Sequence, residues 1–380
     1  MSAQQTHIAH FDLDAFFVSV ERILDPSLVG MPLILGGSKE RGVVSTCSYE
    51  ARKFGVKSAM PMATAHSLCP HGIFMKGSTG QYGKFSQWVT EIIAAKAPSF
   101  EKASIDEFYI DLTGMDRFFD PLQWTIDLRK EIMDTTGLPI SFGLASNKMV
   151  AKMATNAAKP NGYLRVLPER EKEFLSPLPV SDIPGVGEQT LKQLHAMGIR
   201  TIGDLSDYPQ PILESHFGSF AAVLKRKAAG QHDGIVHEST VSKSISTEHT
   251  FSENTRDLDF LMKELMKMTE KLGHELREDQ KMATCFAVKI RYADFETHTK
   301  QLSVPATSFD DEIIRIIREL FEQLYVNGKW VRLIGIRFSE LVDQNIQTHL
   351  FENRVKKASL YNAIDQVKNR YGKKSVERGK

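Results

Sequence analysis

The chain has 380 residues, 42% of them hydrophobic and 25% charged, with a formal net charge of +1 at pH 7, which leaves room for two to four domains and matches an ordinary globular protein. No run of eighteen apolar residues occurs, which excludes a helical membrane span; strand-like sequence by about His7 leaves no room for a secretory signal, so a cytoplasmic location is expected. The near-neutral total hides an asymmetry: residues 352–380 carry nine Lys or Arg against three Asp or Glu, +6, so the 351 residues before them sum to −5, and any nucleic acid would be held by local basic stripes around an acidic centre. Three widely spaced cysteines, Cys47, Cys69 and Cys285, match neither a disulfide framework nor a zinc cluster.

Residues 7–13 read as a buried strand. Asp14 then reads as the N-cap of a helix in which Phe16, Phe17, Val20, Ile23 and Leu24 recur at helical spacing until Asp25-Pro26. Spacing alone makes Phe16 and Phe17 core residues. Asp12 is different: it lies mid-strand between Phe11 and Leu13, where a carboxylate costs several kcal/mol unless a metal or another cation compensates it. After a short strand at 32–37 the chain reads as small, Gly-rich and helical to about Met75. If it is helical from Ser45, then Thr46, Tyr49 and Arg52 share one face, a donor set that suits a polyphosphate or simply a solvated surface.

A helix from Tyr82 to Ala97 leads to a second acidic stretch, Ala103 to Asp111, with Asp106 and Glu107 adjacent inside a strand-forming run. Neighbouring strand residues point to opposite faces, so if both carboxylates serve one site, a bulge, turn or strand end is expected between them. A helix from Trp124 to Met133, a strand from Pro139 to Ala145 and a helix from Val150 to Ala158 capped by Ser146-Asn147-Lys148 give βαβ-like alternation, a mixed sheet with helices on one face. Lys159-Pro160-Asn161-Gly162 closes that block as a turn projecting Lys159.

Ile183-Pro184-Gly185-Val186-Gly187 before a helix from Thr190 to Met197 reads as the hairpin of a helix-hairpin-helix, in which Gly185 and Gly187 let backbone N–H groups approach a phosphate. Residues 231–241 read as a linker. The pattern then becomes βαββαβ to Glu340; alternation places Lys289 and Arg291 opposite Phe286, Val288 and Ile290, and Lys243 and Arg337 extend a basic stripe that serves phosphate tracking or plain solvation.

In combination FDLDAFF (11–17), STCSYEARKFGV (45–56), SIDE (104–107), KPNG (159–162) and IPGVG (183–187) resemble the Y-family translesion DNA polymerases of the polymerase IV type, over residues 7 to about 351. The resemblance implies an α+β, multidomain right-hand polymerase: palm at 1–10 and 77–165, small fingers at 11–76, a helical thumb with the helix-hairpin-helix at 166–230, the linker, a βαββαβ little finger at 242–341 and a tail at 342–380. It implies that Asp12, Asp106 and Glu107, helped by the Leu13 carbonyl, hold two Mg²⁺, and that Thr46, Tyr49, Arg52 and Lys159 bind the triphosphate. Phe16 is implied to line the sugar pocket and Phe17 to exclude a 2′-hydroxyl. The implied partners are primed template DNA, dNTPs and, through Gln347, Leu350 and Phe351 of a Gln-x-x-Leu-Phe motif, the sliding clamp, with the enzyme a monomer. Cys47-Ser48 stands where the family often has Ala-Asn and Phe108 where it often has Ala. Two other classes remain open on the residues alone: a DNA-binding protein without catalysis, which has no use for three carboxylates beside phosphate, and a repair nuclease or glycosylase, for which residues 183–230 offer no obvious nucleophile.

Overall fold

A computed structural model describes residues 6–231, 234–238, 242–344, 354–372 and 375–376. The chain folds as two compact units, Met1–Thr240 and Val241–Lys380.

In chain order the first unit contains β1 (Ile8–Leu13), α1 (Phe16–Leu24), β2 (Leu33–Gly36), β3 (Val44–Cys47), α2 (Tyr49–Arg52), α3 (Met62–Leu68), β4 (Ile73–Met75), α4 (Thr79–Lys96), β5 (Phe100–Lys102), β6 (Glu107–Asp111), α5 (Pro121–Thr136), β7 (Ile140–Ala145), α6 (Lys148–Ala158) and β8 (Tyr163–Arg165). Five short helices complete it: α7 (Glu171–Leu175), α8 (Glu188–Ala196), α9 (Ile202–Asp207), α10 (Gln210–Phe217) and α11 (Phe220–Ala228). The main sheet has the order β5-β6-β1-β7-β8, with β7 and β8 parallel and the other pairs antiparallel.

β1 is buried along its whole length, as its apolar run requires. Its odd-numbered side chains, Ala9, Phe11 and Leu13, join Phe108, Ile110, Phe142 and Leu144 in the core under α1, α4 and α5. The opposite face receives α6, which corrects the expectation of helices on one side only. Gly143 permits this: a Cβ there would lie 2.2 Å from the Ala151 carbonyl oxygen, so any side chain would push α6 off the sheet. That face carries the even-numbered residues of β1, His10 and Asp12 among them.

Two local expectations are corrected. Asp14 does not cap α1; Ala15 occupies the cap position without a side-chain bond, because the Asp14 carboxylate is taken by Ser141 and by the Asn161 N–H. Residues 33–75 are not chiefly helical but build a sheet of order β3-β2-β4, since β-branched Val44 and Thr46 form a strand and Ser48 delays the helix to Tyr49 by capping it at the Ala51 N–H.

The second unit contains β9 (Ser244–Thr255), α12 (Leu258–Glu278), β10 (Lys281–Tyr292), β11 (Thr297–Thr307), α13 (Asp310–Leu324), β12 (Val331–Asp343) and α14 (Arg354–Tyr371). The βαββαβ order gives an antiparallel sheet β11-β10-β12-β9 whose inner face packs on α12 and α13. α14 is fastened to those helices by a buried ion-pair cluster: Arg277 donates to Asp365 at 2.6 Å and to Asp310 at 2.7 Å.

Candidate active site

β1 and β6 meet in a register that sets Asp12 directly opposite Glu107. Directly opposed residues of an antiparallel pair share a face, so both carboxylates stand on the α6 side of the sheet. Asp106 lies outside this alternation: β6 begins at Glu107, and residues 104–106 form the bend that follows β5. The distortion expected of two adjacent carboxylates serving one site is therefore present as a strand end. The bend is pinned from three sides. Leu13 N–H donates to the Asp106 carbonyl at 3.0 Å, Ser86 Oγ to the Ile105 carbonyl at 2.5 Å, and Ser104 Oγ both accepts the Asp106 and Glu107 N–H groups and donates to Asp106 Oδ1 at 2.5 Å.

Each strand carboxylate has drawn a lysine from the segment that runs along this face. Lys159 Nζ is 2.5 Å from Asp12 Oδ2, and Lys152 Nζ is 2.5 Å from Glu107 Oε1. His10, two residues before Asp12 on the same face, is fully buried; its Nδ1 is 2.8 Å from Thr155 Oγ1, while Nε2 lacks a hydrogen-bond partner 3.8 Å from Glu107 Oε2. Burial lowers the His10 pKa to about 4, so the ring is neutral at pH 7. Glu107 is held far below the usual carboxylate range by the adjacent His10 ring and by Lys152, against its own burial.

Asp12 moves the other way. Its burial raises the pKa to about 7, opposed by Lys159 and reinforced by the charges of Glu107 and Asp106. Because the folded state keeps a proton that the unfolded chain releases near 3.8, the Asp12 contribution to stability falls as pH rises from about 4 to about 7. In metal-free protein Asp12→Asn is therefore expected to melt above the parent at pH 8 and level with it at pH 4. Thermal melts across that range check this; a variant that melts lower at pH 8 would contradict it.

Among the described residues no three Asp, Glu, His or Cys side chains already stand as a metal cage. The donor set nonetheless fits a hard divalent cation: three carboxyl groups whose charges act on one another, two of them in contact with lysine ammonium groups.

Of the residues expected to bind the triphosphate, Tyr49 is held by Asp14. Tyr49 Oη donates to Asp14 Oδ1 at 3.4 Å, Ser141 Oγ to Oδ2 at 2.8 Å, and the Asn161 N–H to Oδ2 at 2.7 Å. One buried carboxylate thus ties α2 and the 159–162 turn to the main sheet. The exposed Arg52 guanidinium lies over the Tyr49 ring, 4.6 Å from its centroid, and burial, then Asp14, raises the Tyr49 phenol to about 12, leaving it a donor. Thr46 is half-buried on β3, so it does not share a helix face with Tyr49 and Arg52. Phe16 is buried; Phe17 is half-buried, its ring stacked on Tyr82 at 4.2 Å.

Among the small helices, Gly185 has φ +93° and Gly187 is the cap residue of α8, with open space beside its Cα. Lys227 Nζ donates to the Pro184 carbonyl at 2.5 Å and holds the hairpin from behind. Within the predicted linker Val236 is buried and the His237 N–H donates to Glu101 at 2.9 Å, so residues 234–238 lie docked on the first unit. In the second unit Lys289 is paired with Glu248 at 2.7 Å, Arg291 donates to Thr297 at 2.7 Å, and Arg337 and Lys243 are exposed. Gln347, Leu350 and Phe351 lie outside the described residues.

Sequence reasoning missed His10, Asp14 and Lys152. His10 lies two residues before Asp12, a spacing that puts it on the same face of β1, and Asp14 lies two residues after it, in the turn just past the strand's end. Lys152 lies seven residues before Lys159, the two-turn repeat that returns to the same side of a helix.

Comparison with known proteins adds three matches to family models. Residues 11–156 match the impB/mucB/samB family, residues 242–350 its C-terminal domain, and residues 168–199 the helix-hairpin-helix motif of the same family. The chain is 37% identical over 378 residues to a DNA polymerase IV of Dehalococcoides mccartyi, covering 98% of this chain and 97% of that protein, and 38% identical over 338 residues to one of Methanoculleus marisnigri, covering 88% and 94%. Among solved structures it resembles a Y-family DNA polymerase chimera of Dbh and Dpo4 with a TM-score of 0.78 and 26% identity, over 89% of this chain and 99% of that one. An insertion ternary complex of Dbh DNA polymerase is similar over the same shares with a TM-score of 0.66.

Proposed function

The chain belongs to the Y-family DNA polymerases of the DinB, polymerase IV, type and is a DNA-directed DNA polymerase, and from that premise we propose how its own residues carry out the transfer. The observation that carries the reading is the opposition of Asp12 and Glu107 on β1 and β6, with Asp106 in the adjoining bend and an ammonium group already on each strand carboxylate. A protein that only bound DNA would gain nothing from desolvating acids beside phosphate.

Asp12, Asp106, Glu107 and the Leu13 carbonyl would hold two Mg²⁺, which when bound lower the pKa of the primer 3′-hydroxyl and neutralise the triphosphate and the departing pyrophosphate. Lys159, released from Asp12, and Thr46, Tyr49 and Arg52 from the β3–α2 segment bind the β and γ phosphates. Asp14 keeps the two groups in register by holding Tyr49 and the Asn161 N–H together. Phe16 lines the sugar pocket and Phe17 excludes the ribose 2′-hydroxyl. Gly185 and Gly187 offer backbone N–H groups to the duplex, and Lys243, Lys289, Arg291 and Arg337 follow its phosphates, Arg337 and Lys243 most directly because Lys289 is shared with Glu248.

The palm, fingers, thumb, linker and little finger take the boundaries given above, except that residues 11–13 stay with the palm, since β1 runs unbroken to Leu13 within its sheet. Fingers this small leave few side chains to press on the nascent base pair, which favours low fidelity, low processivity and passage over damaged template bases. A monomeric cytoplasmic enzyme that docks on the sliding clamp through Gln347, Leu350 and Phe351 completes the reading; among the described residues no helix is long and apolar enough to cross a membrane. The test is running-start extension past a bulky template lesion, with and without loaded clamp, for the parent and a protein lacking residues 347–351. Bypass by both proteins without clamp and clamp stimulation of the parent alone is the expected result. Equal loss with and without clamp would discard the clamp motif, and arrest of the parent at the lesion would discard translesion synthesis.

A further inference from the structure

Phe17 and Glu21 lie four residues apart on α1, hence on one side of that helix, and both reach the same neighbour, Tyr82 of α4. Phe17 stacks on the Tyr82 ring, centroids 4.2 Å apart and planes 21° from parallel. Glu21 accepts the Tyr82 hydroxyl at 2.5 Å, the Ser78 N–H at 2.7 Å and the Ser78 hydroxyl at 3.1 Å. Glu21 is 3% exposed, and its carboxylate has no Lys, Arg or His ion-pair partner among the described residues. A buried carboxylate without a counter-cation is costly to keep, and three donors converging on it are what make it tolerable. The berth for the hydroxyl is equally specific: a Cβ on Gly77 would lie 2.2 Å from Tyr82 Oη. Burial and then Glu21 hold the Tyr82 phenol far above its ordinary pKa, so it stays a donor.

We infer that Glu21 is a positioning residue for sugar selection: with Gly77 and Ser78 it fixes the Tyr82 ring as a backing plate that keeps Phe17 from yielding to a ribose 2′-hydroxyl. The inference rests on the reading of Phe17 as the sugar-excluding ring. A gate made of one half-buried phenylalanine could tilt about its side-chain torsions too cheaply to discriminate strongly. Gripping Tyr82 at both its ring face and its hydroxyl from the same helix removes that freedom.

The test compares kcat/KM for a correct dNTP and its matching ribonucleotide in the parent, Glu21→Ala, Glu21→Gln, Gly77→Ala and Phe17→Ala, each checked for folding by its thermal melt. Glu21→Ala and Gly77→Ala are expected to raise relative ribonucleotide use about tenfold, with dNTP insertion held within a few fold, and Glu21→Gln, which keeps an acceptor oxygen, to fall between them and the parent. A merely structural role would depress both nucleotides together. If Phe17→Ala relaxes sugar selection while folded Glu21→Ala and Gly77→Ala leave the ratio unchanged, the inference is wrong and the gate stands; if Phe17→Ala also leaves it unchanged, the gate reading itself fails. Should Glu21→Ala not fold, Gly77→Ala decides, since it leaves the carboxylate in place and displaces the Tyr82 hydroxyl together with the adjoining ring edge.

Discussion

Asp106→Ala and Glu107→Ala are each expected to slow single-turnover addition of a correct nucleotide by at least about 10³-fold, equivalent to about 4 kcal/mol of transition-state stabilisation, while affinity for primed template stays near that of the parent. The two should differ in what they do to the fold. Asp106 is half-exposed in the bend, so its removal should leave the melting temperature almost unchanged. Glu107 takes Lys152 and faces the buried His10 ring, so Glu107→Ala removes the acceptor from one cation and should shift the melt as well. Lys152 is partly solvated and can turn to water, which limits that shift. Intact extension in either variant would mean that these carboxylates do not hold the catalytic ions.

Phe17→Ala is expected to have the largest effect on substrate choice, raising kcat/KM for ribonucleotides by about 10²-fold, because the ring's bulk is the obstacle that its removal abolishes. The variant also loses the stack on Tyr82, about 1 kcal/mol, so a modest fall in stability should accompany the gain in ribonucleotide use. Kinetics with matched deoxy- and ribonucleotides on one template measure it. Unchanged sugar selection in a folded Phe17→Ala would remove the residue from that role.

Unbroken burial along Ile8–Leu13, the helical periods of α4 and α5 and the alternation in β10 all depend on neighbours within a few positions, and those patterns carry the architecture. The acidic pair at 106–107 also announced a bulge, turn or strand end, because two adjacent carboxylates in a regular strand point to opposite faces, and a strand end is what occurs there. The site's supporting residues were hidden for the opposite reason. Asp14 meets the Asn161 N–H 147 residues away and His10 meets Thr155 across 145 residues, and no local period reports such contacts. Asp14 looked like a helix cap because a short acidic residue before an apolar helix usually is one; tertiary partners outbid the α1 amides for its oxygens. Thr46 was misplaced by one local decision, the cap at Ser48 that starts the helix only at Tyr49. The placement of α6 opposite α4 and α5 depended on a single glycine, Gly143, whose meaning appears only when the helix lies against it.

The most direct measurement is single-nucleotide extension of a primed template with each dNTP supplied alone, on four templates that differ only at the first unpaired base, with Mg²⁺ and with chelator. The prediction is preferential addition of the complementary nucleotide on every template, lost in chelator and in Asp106→Ala. Addition that ignores the template base, or that persists without divalent cation or without Asp106, would contradict template-directed synthesis at the Asp12, Asp106 and Glu107 site.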